Sequence, residues 1–301
     1  EARGQENIRQ IAAEAHKRGM KLIDHFDATL VWNIGEGFRV LCERQLELIR
    51  SLHDGLPSYQ FCPNNPVFRK TLHDYLVRDV ENGVDGFQVD EVQFWHHGCT
   101  CQWCREAFRR DTGWWIPENE CDSSWETRWT PFRKRWHAWK VRQATNFFLE
   151  LRRRVKGIKP DLVLSAYTTP WAFQYPSARV NHGRDLNDLA RTFNFFGLEV
   201  MSRCVLRDAR FTYPAIKTQN FYGLDYGTPM WDWYYGADWQ NDYVSWALSA
   251  MAGRSPMLSE VAKDASVPDY PGFGVARGAM KRRGATPIAE TAVLFSVASR
   301  D

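Results

Sequence analysis

Apolar positions along the chain repeat at two periods, and the switch between them marks out alternating helices and strands. Ile8, Ile11, Ala12 and Ala15 fall at three- and four-residue spacing and Gly19 closes the run, which predicts an amphipathic helix over about 5–18. KLIDHF (21–26) then predicts a strand. A second helix is expected from about Phe38 to Leu52, with Val40, Leu41, Leu46 and Ile49 on one face, and a short strand at SYQFC (58–62). The tetrapeptide PNNP opens a helix that runs to about Asn82. Asn65 suits its cap, Pro66 its first position, and Gly83 ends it. The strand VDGFQVD (84–90) follows, then helices over 102–111 and 130–156 joined by the Trp-rich loop WWIPENECDSSW. Farther on, strands are predicted at DLVLSAY (161–167), NFFGLEVMS (194–202), AIKTQNF (215–221) and SPMLSE (255–260). Short helices are predicted at 186–191 and 241–253, and GLDYGTPMWDWYYGADW is read as an aromatic loop.

Strands that alternate with helices make a parallel sheet, and eight of them close a barrel. Seven are visible here. The expected fold is therefore an α/β (β/α)8 TIM barrel that lacks its first strand in this chain. Residues 1–285 would form the barrel, and 286–301, where the new strand TAVLFSVAS begins, would start a following domain. The long aromatic loops would lie at the carboxyl end of the strands, where barrel active sites sit. No glycine-rich phosphate turn follows any strand, which argues against a dinucleotide-binding open sheet.

Composition narrows the function classes. The net charge of +3 over 301 residues makes no electrostatic case for nucleic acid or for a membrane surface. No apolar run is long enough to cross a bilayer, and the opening residues EARGQENIRQ are not a signal peptide. The 14 Trp residues serve equally as core or as stacking platforms for sugar rings, whose apolar faces match indoles. Trp32, Trp95, Trp171, Trp231 and Trp233, with His25, His96, His97 and His182, fall at predicted rim positions. Trp95, Trp171, Trp231, Trp233 and His25 are the candidate contacts to a glycoside or oligosaccharide substrate. The basic run RRRVK (152–156) reads as a solvated helix face.

Two chemistries meet between Gly83 and Cys104. Asp90 and Glu91 end an apolar strand, where a charged pair is costly to bury without a purpose. Glycosidic hydrolysis needs two carboxyls on opposite sides of the bond, and neighbours in sequence do not straddle it. Glu199 and Glu260, both at strand ends, are the candidate partners, with Asp225 and Asp232 behind them. Cys99, Cys101 and Cys104 have the spacing to wrap one Zn²⁺, which takes four tetrahedral ligands. Cys62 is the best fourth ligand, with Cys121, His96 or His97 as alternatives. Reduced cysteines favour a cytoplasmic location.

The segment Cys62-PNNPVFR, then GFQVDEV, then CTCQWCREAFR resembles the barrel domain of glycoside hydrolase family 42, the β-galactosidases, and related glycosyl-hydrolase-like proteins. The resemblance is close over about 60–110 and looser elsewhere. It implies that Cys62, Cys99, Cys101 and Cys104 hold a structural zinc and that Glu91 is the acid/base, with Asp90 in the place of the family's Asn. The G-F-x-x-D strand also resembles amylase-like barrels, in which Asp90 would be the nucleophile. AETAVLFS resembles the start of a flavodoxin-like trimerisation domain, which implies a homotrimer. AIKTQNF, aligned with the family's seventh strand, lacks the expected nucleophilic Glu. A catalytically silent carbohydrate-binding barrel is the alternative that this departure supports.

Overall fold

The computed structural model describes residues 2–29, 49–51, 57–90, 94, 98–118, 121–125, 130–168, 183–200, 228–234 and 255–256. The chain divides into two units, Glu1–Tyr167 with Ala178–Asn194, and Thr168–Ser177 with Phe195–Asp301.

The first unit is built on a parallel sheet. Helix α1 (Ala2–Lys17) leads into β1 (Ile23–Asp27), and β4 (Gly86–Asp90) pairs between β1 and β5 (Val163–Thr168). Pairing is in register: His25 faces Gln88 and Asp27 faces Asp90, while Gln88 also faces Ser165. Side chains in neighbouring parallel strands therefore point the same way in rows. Phe26, Phe87, Val89, Leu164 and Ala166 take one face. His25, Gln88 and Ser165 form a polar row on the other, with Asp27 and Asp90 beyond it at the strand ends. All five residues of β4 are buried.

Helix α2 (Pro66–Glu81) returns the chain from the rim to β4. Its start follows the sequence closely: the Asn65 side chain accepts from the backbone N–H of Val67 at 2.8 Å, and Pro66 takes the first turn. Gly83, at φ +99°, makes the turn into β4 where α1 passes; a Cβ there would lie 2.9 Å from the Cβ of Ala12. Helix α3 (Gln102–Thr112) ends at Gly113 in the left-handed region, and α4 (Pro131–Ile158) is capped by Thr130. Helix α5 (Leu186–Thr192) packs on α4, with Thr145 donating to Asp188 at 2.7 Å.

Two expectations fail here. Residues 49–51, assigned to a helix by pattern, form strand β2 (Ile49–Ser51), which pairs antiparallel with β3 (Pro57–Phe61) in a ribbon outside the parallel sheet. The segment near 58 is thus a strand but not a barrel strand. A long-range partner overrides local periodicity, and Ile49 is β-branched. The ribbon is tied to the loop after β1 by Phe61 N–H donating to Thr29 O at 2.9 Å.

The second unit has its own parallel set, β6 (Phe195–Val200), β7 (Met230–Tyr234) and β8 (Ser255–Pro256). The pattern placed Met230–Tyr234 in a loop, yet it is the direct partner of β6. Its Trp-Asp-Trp alternation is a two-residue period hidden inside an aromatic stretch. The predicted strand 215–221, the helices 38–48 and 241–253, and the segment 286–301 lie outside the described residues.

The core around α3 and α4 is aromatic. Phe132 stacks on Trp136 at 6.2 Å and Trp136 on Trp139 at 5.2 Å, while Phe108 meets all three rings edge-on. Gly98, at φ +63°, lets the Trp136 indole close: a Cβ there would sit 2.2 Å from the ring. Gly98→Ala is therefore expected to destabilise the fold by roughly 2–4 kcal/mol, from backbone strain and overpacking together. Urea unfolding that gives a midpoint equal to wild type would contradict this.

Candidate active site and candidate metal centre

The carboxyl ends of β1 and β4 bring together His25, Asp27 and Asp90, whose polar atoms lie within 4.8 Å of one another. His25 Nε2 faces Asp90 Oδ2 at 3.5 Å, and the Asp90 side chain is only 9% exposed. Asp90 raises the His25 pKa by accepting its proton and by its charge. Burial, and then the charge of Asp90, raise the carboxyl pKa of Asp27. Two neighbouring acids thus face different surroundings: Asp27 lies exposed at its strand end with its carboxyl pKa raised, while the buried Asp90 faces the His25 ring. Deeper on the same face Gln88 and Ser165 are buried, and Ser165 Oγ has no hydrogen-bond partner among the described residues.

Of the carboxylates singled out from the sequence, Asp90 is in this cluster and Glu91 and Glu260 lie outside the described residues. Glu199 is on β6, opposite Trp233 in the register with β7. Trp95 and Trp171 also lie outside the described residues. Trp231 is half-buried and meets Phe195 edge-on at 5.6 Å, so its ring packs against a strand neighbour. Trp125, Trp136 and Trp139 are core residues. Asp27 was not found by pattern. Its signal was the one used for Asp90, a carboxylate ending an apolar strand, but the strand read from the sequence stopped at Phe26.

The four thiols form a second cluster. The Sγ atoms of Cys62, Cys99, Cys101 and Cys104 lie within 4.8 Å of one another, and Cys62 is 3.5 Å from both Cys101 and Cys104. These separations exceed the ~2.05 Å of a disulfide and approach the ~3.8 Å edge of a sulfur tetrahedron with ~2.3 Å metal bonds. Cys62, Cys99 and Cys104 are fully buried. Cys62 arrives from the end of β3, Cys99 and Cys101 from the loop after β4, and Cys104 from the first turn of α3. Asn64 Nδ2 donates toward Cys104 Sγ at 3.5 Å, and the helix start favours negative charge on both Cys101 and Cys104. Thiol protons donated by Cys104, Cys62 and Cys99 hold Cys101 far below the ordinary thiol range, whereas burial pushes Cys62 and Cys104 up. Four thiols at this spacing ionise together only around a cation. Cys121 is exposed and apart from them.

No protein-family model and no curated protein matches the chain. Solved structures do. The glycoside hydrolase domain of PgaB from Bordetella bronchiseptica aligns with a TM-score of 0.59 at 15% identity, over 86% of this chain and 75% of that one. A β-galactosidase from the Antarctic haloarchaeon Halorubrum lacusprofundi gives 0.59 at 13% identity, over 85% of this chain but 45% of its own length. The catalytic domain of β-amylase from Paenibacillus polymyxa gives 0.57 at 9% identity, over 83% and 78%. The fold is like that of glycoside hydrolase domains.

The opposite face of β1 holds another acid. Asp24 accepts from Tyr75 Oη at 2.7 Å, and burial, reinforced by the neighbouring Asp79 charge, raises its pKa to about 6 from 3.8. Between these values the folded chain keeps a proton that the unfolded chain releases. The stabilisation is full below about pH 4 and is lost as pH rises through 6. Asp24→Asn should therefore raise the thermal midpoint at pH 7.5 and leave it unchanged at pH 4. An equal shift at both values would show that ionisation of Asp24 is not the cause.

Proposed function

We propose that the chain is the barrel domain of a glycoside hydrolase of the family-42 type, acting on an oligosaccharide or other glycoside. The observation that carries this reading is the His25–Asp27–Asp90 cluster at the carboxyl ends of β1 and β4, in a fold like that of glycoside hydrolase domains. Closure of the parallel strands into an eight-stranded barrel is part of the proposal and is supported by the strand–helix alternation. A following domain that joins three copies is supported by the sequence resemblance alone.

Environments that push two acids apart assign their roles. Asp27, whose carboxyl pKa is raised by burial and by the Asp90 charge, is the proton donor to the leaving oxygen. Asp90, beside His25, is the carboxylate that stabilises or attacks the sugar. Glu91, Glu199 and Glu260 are the further candidate carboxylates that the sequence supplies. The experiment is turnover of aryl glycosides and oligosaccharides by the variants. Asp90→Asn is expected to lose about 10²–10⁴-fold for every substrate. Asp27→Asn should lose as much on oligosaccharides but far less on dinitrophenyl glycosides, whose leaving group needs no proton. Full activity of Asp90→Asn rejects the assignment. A wild-type protein that turns over no glycoside, yet whose Trp fluorescence is quenched by oligosaccharides, is the silent binding barrel instead.

We propose further that Cys62, Cys99, Cys101 and Cys104 hold a structural Zn²⁺. A four-sulfur set leaves no open position, so the ion supplies cross-linking rather than catalysis. One zinc per chain is expected by elemental analysis. Cys101→Ser should abolish it and lower the thermal midpoint by at least several degrees, as chelation should in wild type. A chain without zinc, melting identically with and without chelator, would rule this out.

A further inference from the structure

The Trp-rich segment after α3, which neither cluster uses, ends on a basic surface. Trp114 is 37% exposed and Trp115 63%. Each carries a guanidinium: Arg135 Cζ lies 4.5 Å from the Trp114 ring centre and Arg109 Cζ 3.8 Å from that of Trp115. Arg135 also donates to Thr112 O at 3.4 Å, so the pair of aromatics is fixed to the end of α3 and to α4 together.

A groove of about 510 Å3 is lined in part by Arg135, the residue that carries Trp114. One wall is a single face of α4 with Lys134, Arg135, Ala138 and Arg142, and the other is the end of α3 with Asp111 and Thr112. Asp111 is the one carboxylate in the lining, and it is already engaged. It accepts from Trp139 Nε1 at 3.0 Å and Gln143 Nε2 at 3.1 Å, and it pairs with Arg110 at 2.9 Å. Lys134, Arg135 and Arg142 have no carboxylate within ion-pair distance among the described residues. The groove thus offers three cations that lack carboxylate partners, with the Trp114 ring held against one of them.

We propose that this groove is a second carbohydrate site, for a polysaccharide whose sugars carry carboxylates. The Trp114 ring, held at the groove by Arg135, suits the apolar face of a pyranose, and the guanidinium fork of Arg142 suits a carboxylate in two parallel hydrogen bonds. The choice of a polysaccharide over other polyanions rests on the glycosidase reading, whereas the cation and ring geometry does not. The site lies apart from His25, Asp27 and Asp90 in the sequence and on different elements. It holds substrate chains near the protein and performs no chemistry.

Native gels cast with polygalacturonate test this on the full chain, with neutral galactan, dextran sulfate and single-stranded RNA as comparison gels. Retardation by polygalacturonate and none by galactan is expected. Trp114→Ala and Arg142→Ala should each weaken it about five- to tenfold while melting as wild type, the loss of one ring or one fork being worth about that much. Retardation is read without turnover, so failure of the catalytic reading leaves this result standing. Absence of retardation overturns the proposal, as does retardation that neither variant weakens. Equal or tighter binding of RNA or dextran sulfate also overturns it, because the groove is then a general polyanion surface.

Discussion

Parallel pairing of Ile23–Asp27 with Gly86–Asp90 sets Ile23 opposite Gly86 and Asp27 opposite Asp90, with no slip between. A shift of one residue would turn every side chain of β1 to the other face. His25 and Asp27 would then lie among the helices, and Asp24 and Phe26 would take their place beside Asp90. The register is held from both sides. Phe26 meets Tyr75 at 5.7 Å and Phe87 at 6.1 Å on the helix face. At the strand start, Gly86 lets the backbones close, since a Cβ there would lie 2.6 Å from Val163 O. The polar cluster is a consequence of apolar packing one layer away.

The thiol cluster solves a different problem. The β2–β3 ribbon and the described residues 98–101 after β4 lie outside the parallel sheet. Cys62 brings in the ribbon, and Cys99 and Cys101 bring in the loop, against a wall of Phe94, Phe108, Trp136 and Trp139. Arg105 adds polar ties, donating to Thr100 O at 2.8 Å and Ile116 O at 2.9 Å. Rim geometry is fixed here by a core that contains no strand at all.

Much of this was legible from residues. The cap at Asn65, the proline after it and the glycine at 83 act within a few positions, so their signals survive without tertiary context. Pairing does not survive in the same way. Ile49–Ser51 looked helical and Met230–Tyr234 looked like a loop because the partner strand that decides each case is distant in sequence. The cluster was half legible: Asp90 ended an obvious strand, while Asp27 fell one residue past the predicted end of another. Which tryptophans are core was not legible, because an indole on a helix reads the same whether it faces Phe108 or water.

Helix α4 spans 28 residues, roughly 42 Å, and serves two cores along its length. Its first half supplies Phe132, Trp136 and Trp139 to the thiol cluster. Its second half supplies Phe147 and Phe148, which meet Phe68 at 6.3 Å and Phe193 at 5.1 Å behind the sheet. A continuous helix couples the two mechanically. Loss of order around the thiols frays it from one end, and opening of the sheet's backing frays it from the other. The first unit should therefore behave as a single cooperative foldon rather than as a barrel wall with a detachable clip. Amides at both ends of the helix would then exchange with solvent through the same opening event.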